Sequence, residues 1–337
     1  MIKKGYAQLK AMLLQNYRFI LFLILFYFIL TLPLPYYIHT AGGLIDISEK
    51  VIIENEYQKN GSINLSYVTE MRGNVLTCLL AYVLPNWDMV SKQEYVADNE
   101  TYEEVDYRNH MLLEEANANA LIVAYNEAGN AVVIKDKHFY VVYVDEKANT
   151  TLKIGDEIIS VEGKKVNSMQ EYIDIVANSE VDDNLNILVI DKNKKEVNRM
   201  ASVFQHEDKN VTGILVSSKY DYVANPKITF NFKESESGPS GGLMMSLAIF
   251  NKLTSEDLTK GLTIVGTGTI DIDGNVGQIS GIEYKLKGAV KAKADIFLTP
   301  LGDNYDEAMK IAAEKKYDII IVGVATFNDA INYLRSM

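Results

Sequence analysis

The alternation of apolar and polar positions divides the chain into four stretches. Residues 19–38 carry no charged side chain, and residues 19–32 are almost wholly apolar. About 20 such residues are enough for a helix to cross a bilayer core. Tyr17 at one end and Tyr36 and Tyr37 at the other stand where aromatic belts are found. The next stretch is mixed. Short β-branched runs at residues 51–53 and 63–68 predict strands about a turn at Asn60, Gly61 and Ser62. The apolar run 75–84 predicts a buried helix. Leu112, Ala116, Ala120 and Val123 recur at helical spacing and predict a helix over residues 112–124. From residue 131 short strand-like runs dominate, at 132–134, 140–144, 158–161 and 185–190. Turn residues Gly155, Asp156 and Gly163 punctuate them, and Ser168 caps a predicted helix over 168–177. From residue 212 strands and helices alternate. Strands are predicted at 213–216, 228–232, 262–272, 296–298 and 319–324, and helices at 243–253, 281–294, 306–315 and 327–334. Such alternation indicates an α/β or α+β domain.

Composition narrows this picture. The chain has 337 residues, room for two or three domains, and is 48% apolar, so packed cores are expected. A net charge of −12 argues against a nucleic-acid surface. Lys3, Lys4, Lys10 and Arg18 precede the apolar stretch with no acid among them. The positive-inside rule then predicts a single-pass cell-membrane anchor, with the N-terminus cytoplasmic and the rest extracytoplasmic. A cleaved signal peptide is the alternative, but the apolar stretch is long for one and no clear small-residue cleavage site follows it. Cys78 is the single cysteine, so no disulfide forms within the chain, and its apolar neighbours suggest a core position.

One string carries chemistry. Gly238-Pro239-Ser240-Gly241-Gly242 fits the G-x-S-x-G pattern of a nucleophile elbow. That fold needs a histidine after the serine, yet His39, His110, His138 and His206 all precede it. No metal-ligand cluster and no phosphate-binding G-x-x-x-x-G-K string is present, and no cofactor is expected. The alternative base is a lysine, which must be neutral to accept a proton and therefore desolvated. Lys285 meets this need. It lies on or beside the helical face of Ile282, Leu286 and Ala289, whereas Lys287 points elsewhere.

Two resemblances extend the reading. The strand order and the IGDEIISVEGKKV string resemble bacterial PDZ domains. This implies a module that adds an extended peptide to a sheet edge, with its end-capturing loop expected before the strand at 139–144. The strings around Ser240 and Lys285 resemble the proteolytic domain of Lon-type peptidases, and follow one another at the interval of that family. Val265-Gly266-Thr267-Gly268-Thr269-Ile270 matches its T-G strand, and Gly274-Asn275-Val276-Gly277-Gln278-Ile279 its following turn. The resemblance implies Ser240 as nucleophile, Lys285 as base, Thr267 as accessory hydroxyl, and backbone N–H groups of Gly238 and Ser240 at the oxyanion. It also implies a homo-oligomer, in that family a hexamer. Gly241 stands where the family usually has alanine, and Ser237 where many ATP-dependent members have an acid.

The expected fold is α+β. Residues 1–40 would form a cytoplasmic tip and transmembrane helix, and 43–130 a mixed segment forming the front of the Lon-type domain. Residues 131–205 would form a PDZ-like β-rich domain inserted into it, and 206–337 the Lon-type proteolytic α/β domain. The expected function is that of an ATP-independent, membrane-anchored serine endopeptidase. It would cleave flexible or membrane-adjacent protein segments outside the cytoplasm, with PDZ-like substrate or partner binding. A catalytically silent, membrane-tethered PDZ adaptor and an esterase using the same nucleophile are the alternatives.

Overall fold

The computed structural model describes residues 10–92, 100–233 and 235–337. Lys3, Lys4, residues 93–99 and Glu234 lie outside the described residues. The chain falls into two units, residues 1–40 with 69–95, and residues 41–68 with 96–337.

In the first unit helix α1 spans Tyr17–Leu30, and a bend at Asn16 separates it from helical residues 10–15. The expected transmembrane helix is not formed. Among the described residues no helix is long and apolar enough to cross a membrane. α1 has 14 residues, about 21 Å at 1.5 Å per residue, against roughly 30 Å of hydrocarbon. Pro33 lies two residues past its cap at Thr31, a position where a helix cannot resume. The rest of the expected span enters strand β1 (Pro33–Asp46), where Tyr37 and Ile38 are buried. β1 pairs antiparallel with strand β4 (Trp87–Ser91), from Tyr36 opposite Ser91 to Thr40 opposite Trp87. Helix α2 (Val75–Val83) starts from a capping box, in which the Asn74 side chain accepts from Thr77 N–H and Thr77 Oγ1 from Asn74 N–H. The helix is present but none of its residues is buried, and Cys78 is a half-buried free thiol rather than a core residue.

In the second unit strands β14 (Thr263–Gly266), β17 (Ile296–Pro300) and β18 (Ile320–Val324) run parallel. β14 also pairs in parallel with strand β3 (Ser62–Asn74). Side chains alternate across this sheet with the strand period of two. Ile264, Ile296 and Leu298 face a core with helices α3 (Tyr102–Glu127), α5 (Gly242–Leu253) and α8 (Phe327–Ser336). Val265 and Phe297 face the other way, toward α6 (Ile282–Lys291) and α7 (Asp303–Lys315). The first of these cores takes residues from Ile47 to Leu334, on both sides of a smaller β-rich region.

That region has its own core, from Phe139 to Val203, with Val144, Ile214 and Val216 packed against it. The core thus reaches beyond residue 205, where the boundary was expected. Its sheet runs from β12 (Ile214–Asn225) at the edge through the strand at 131–144 to β6 (Glu157–Val161), β8 (Asn184–Ile190) and β9 (Glu196–Ser202), and helix α4 (Met169–Ala177) packs on its core. β5 (Ala131–Val144) and β12 form a long antiparallel ribbon. Its far half, including Ile134 and Tyr222, packs on the larger core, and its near half, including Phe139 and Val141, belongs to the smaller one.

Candidate active site

Ser240 lies at the end of the loop that enters α5. Gly238 in this loop has φ +92°, a conformation open to glycine at little cost. Its N–H donates to Asn109 O on α3 at 2.9 Å. Glu236 holds the loop twice. Its carboxylate accepts from Lys50 Nζ at 2.8 Å and from Lys233 N–H at 2.9 Å. Desolvation pushes the Glu236 carboxyl up, but the Lys50 ammonium and the N–H bonds outweigh it and leave it below the usual carboxylate range. α5 then begins with Gly241 as its N-cap, and a Cβ on Gly242 would meet Ile270 N at 2.8 Å. Glycine there lets the start of the helix approach the Ile270 backbone closely.

The period of β14 places Thr267 on the same face as Val265, toward α6. On α6 Ile282, Leu286 and Ala289 are buried, and Lys285 among them is only 4% exposed. Gly288 lets α6 close on β3, since a Cβ there would lie 3.2 Å from Ser66 Oγ. That same hydroxyl donates to Lys285 O at 2.6 Å, fixing the turn that carries the lysine. Nothing in the sequence pattern distinguished Ser66 from its strand neighbours.

These elements bring three residues together. Lys285 Nζ donates to Thr267 Oγ1 at 3.1 Å. Thr267 Oγ1 donates to Ser240 O at 3.0 Å, and Gly268 N–H donates to the same carbonyl at 2.8 Å. Burial alone pulls the Lys285 amine down from 10.5 to about 8. Lys285 is therefore an amine that loses its proton near neutrality. No hydrogen bond joins Ser240 Oγ to Lys285 Nζ in this resting arrangement. Among the described residues the N–H of Ser240 has no partner, while the N–H of Gly238 is committed to Asn109. Of the two expected oxyanion donors, only Ser240 is open.

A second concavity lies in the smaller region. A groove of about 730 Å³ runs between α4, through Met169, Tyr172, Ile173 and Val176, and the start of edge strand β12. The end of the short strand Lys209–Val211 and the turn at Thr212 and Gly213 also line it. The expected end-capturing loop was sought before the strand at 139–144. The groove instead borders the last strand of this sheet, because β12 and not β5 occupies the edge.

A buried lysine on one helix thus lies a single threonine hydroxyl away from the backbone of a serine that opens another helix. Residues 233–335 match the Lon protease (S16) C-terminal proteolytic domain. A Lon protease of Campylobacter jejuni is 34% identical over 97 residues, which are 28% of this chain and 12% of that protein. A Lon protease of Campylobacter concisus is 37% identical over 95 residues, 28% of this chain and 11% of that one. The chain thus spans about one ninth of the length of these relatives. Among solved structures, the PDZ domain of an SdrC-like protein from Listeria monocytogenes covers 23% of this chain and 85% of its own, at 23% identity and a TM-score of 0.21. Its Listeria innocua counterpart covers 23% and 92%, at 25% identity and a TM-score of 0.22.

Proposed function

We propose that this chain is a serine endopeptidase in which Ser240 is the nucleophile and Lys285 the general base, working without an ATP-driven motor on flexible protein segments. The observation that carries the reading is the hydrogen-bond chain from Lys285 Nζ through Thr267 Oγ1 to Ser240 O. Thr267 spends its proton on the carbonyl, so it can only accept from the lysine. The neutral amine then keeps its lone pair free for the Ser240 hydroxyl. Lys285 takes the Ser240 proton as Oγ bonds to the substrate carbonyl carbon. The oxyanion forms near the Ser240 N–H and the N-terminus of α5, where unpaired N–H groups favour negative charge. The lysine then hands its proton to the leaving amine as the C–N bond breaks. Water, deprotonated in turn by Lys285, releases the acyl group and restores the serine.

The groove beside β12 supports a second role, that of holding an extended peptide against the sheet edge with apolar side chains on α4.

The test is cleavage of β-casein by the full chain in the absence of ATP, beside Ser240→Ala and Lys285→Ala. Cleavage by the parent and its loss in both variants is the expected result. A parent that neither cleaves casein nor reacts at Ser240 with a fluorophosphonate probe would overturn the reading and leave a binding scaffold.

A further inference from the structure

Among the described residues Ser240 Oγ has no hydrogen-bond partner, so its position rests on the backbone around it. On the C-terminal side that backbone is fixed, because Ser240 O accepts from Thr267 Oγ1 and Gly268 N–H. On the N-terminal side, among the described residues 235–239, two bonds tie the loop to the rest of the fold, Gly238 N–H to Asn109 O and Lys50 Nζ to Glu236 Oε1. The other contact, the mutual Lys233–Glu236 pair, closes the loop on itself.

Lys50 is well placed to act as an anchor. It is 9% exposed, and it stands between the fully buried Ile47 and Val51. Its N–H bonds Ile47 O and its carbonyl accepts from Asn231 N–H, so its backbone is held on both sides. Lys50 and Glu236 face one another with side chains 11% and 17% exposed. Neither takes part in the dyad chemistry. A half-desolvated ion pair of this kind is weak evidence for stability, but it fixes geometry well.

We propose that Glu236, clamped by Lys50, is the positioning residue that sets the serine loop so that Ser240 Oγ meets the free lone pair of Lys285. This rests on the peptidase reading above. The carboxylate four residues ahead of the nucleophile would supply the anchor on this side of the loop, where Ser237 offers no charge.

The test is the rate at which a fluorophosphonate probe labels Ser240 in the full chain. Wild type would be compared with Glu236→Gln, Lys50→Gln and the charge swap Lys50→Glu with Glu236→Lys, using Ser240→Ala as the blank. Both single variants, checked for native near-UV circular dichroism, are expected to label at least tenfold more slowly. The pH midpoint of labelling should stay that of wild type, because Lys285 is untouched. The swap should recover a third or more of the lost rate. A folded single variant labelling at the wild-type rate overturns the proposal. So does a shifted pH midpoint, which would mean that the pair acts on Lys285 electrostatically and not on position. A swap that folds but labels no faster than the single variants overturns it as well. Absence of labelling in wild type is a different failure, refuting the peptidase reading and this inference with it.

Discussion

Lys285 donates to Thr267 through a 3.1 Å hydrogen bond buried from solvent, and the threonine proton is already committed to Ser240 O. The direction of this chain gives Thr267 two separable tasks, aiming the amine and tying down the serine backbone. Thr267→Val removes both while keeping the shape. It should lower kcat about 10–100-fold, in the range of lost positioning and orienting contacts. It should cost about 1 kcal/mol of stability, because Ser240 O keeps its bond from Gly268 N–H. Thr267→Ser keeps the hydroxyl and should retain most of the rate. Equal losses in the two variants would mean that the methyl group, and not the hydroxyl, is what matters.

As a general base the amine of Lys285 must be neutral, and burial holds it at about 8. Roughly one molecule in ten is then competent at pH 7. The pH profile of kcat/KM should rise with pH, reach half its plateau near 8, and show no basic limb from this residue. The stability consequence has a definite sign. The folded value, about 8, lies below the ordinary 10.5. Between these two values the unfolded chain binds more protons, so stability rises with pH across that window and is flat below it. Lys285→Met removes the titration. At pH 7 it should unfold later than wild type by up to about 3 kcal/mol, with the gap closing as pH approaches 10.5. Urea denaturation at pH 7 and pH 10 measures this, and a gap that widens with pH would contradict it.

The three residues that the structure brings together around Ser240 O were all singled out in the sequence, and for two of them the signal is local. Ser240 sits in a glycine-rich turn and Lys285 on an apolar helical face, while Thr267 was singled out only by the Lon-type resemblance of the strand around it. What escaped the sequence depends on partners far apart along the chain. Asn109 meets Gly238 by a backbone bond that any residue could make, so no pattern announces it. Lys50 and Glu236 are 186 positions apart, so no local pattern joins them. Ser66 was one strand residue among several until Gly288 brought α6 against it. The membrane span failed for a different reason. Composition reads residues 19–38 as one apolar run, but the helix stops at Leu30 and the proline-bearing remainder becomes strand β1. The groove beside β12 was not foreseen because sequence order does not say which strand lies at the edge of a sheet.

Gly266, immediately before Thr267, is set in a position that leaves no room for a side chain. A Cβ there would stand 2.6 Å from Met244 Sδ and 2.7 Å from Leu298 O. The methionine can move aside, but the carbonyl belongs to the β17 ladder and also accepts from Thr267 N–H. Gly266→Ala should therefore cost about 1–3 kcal/mol as overpacking and also reduce activity, by shifting Thr267 away from Lys285. Gly163→Ala serves as the comparison. It has φ +73° and nothing within 4 Å of the added methyl, so it should cost only about 1–2 kcal/mol of backbone strain and leave the rate alone. Thermal unfolding combined with casein turnover separates the two. Full activity in folded Gly266→Ala would show that the strand tolerates the shift.

The groove beside β12 makes a prediction that separates capture from chemistry. Met169, Tyr172, Ile173 and Val176 follow helical spacing and share the face of α4 that lines it. Ile173 is 49% exposed, so its apolar surface is available to a ligand and its replacement leaves the core intact. If an extended substrate segment rests there before cleavage, Ile173→Arg removes apolar contact worth about 1–2 kcal/mol. Such contact is made equally by the bound substrate and the transition state. Its loss should therefore raise KM for casein about 5–30-fold with kcat unchanged, the signature of lost uniform binding. Labelling of Ser240 by a small fluorophosphonate, which has no segment to lay in the groove, should be unaffected. An unchanged KM would detach the groove from substrate capture, while a fall in kcat and in labelling together would mean that α4 acts on the serine loop instead.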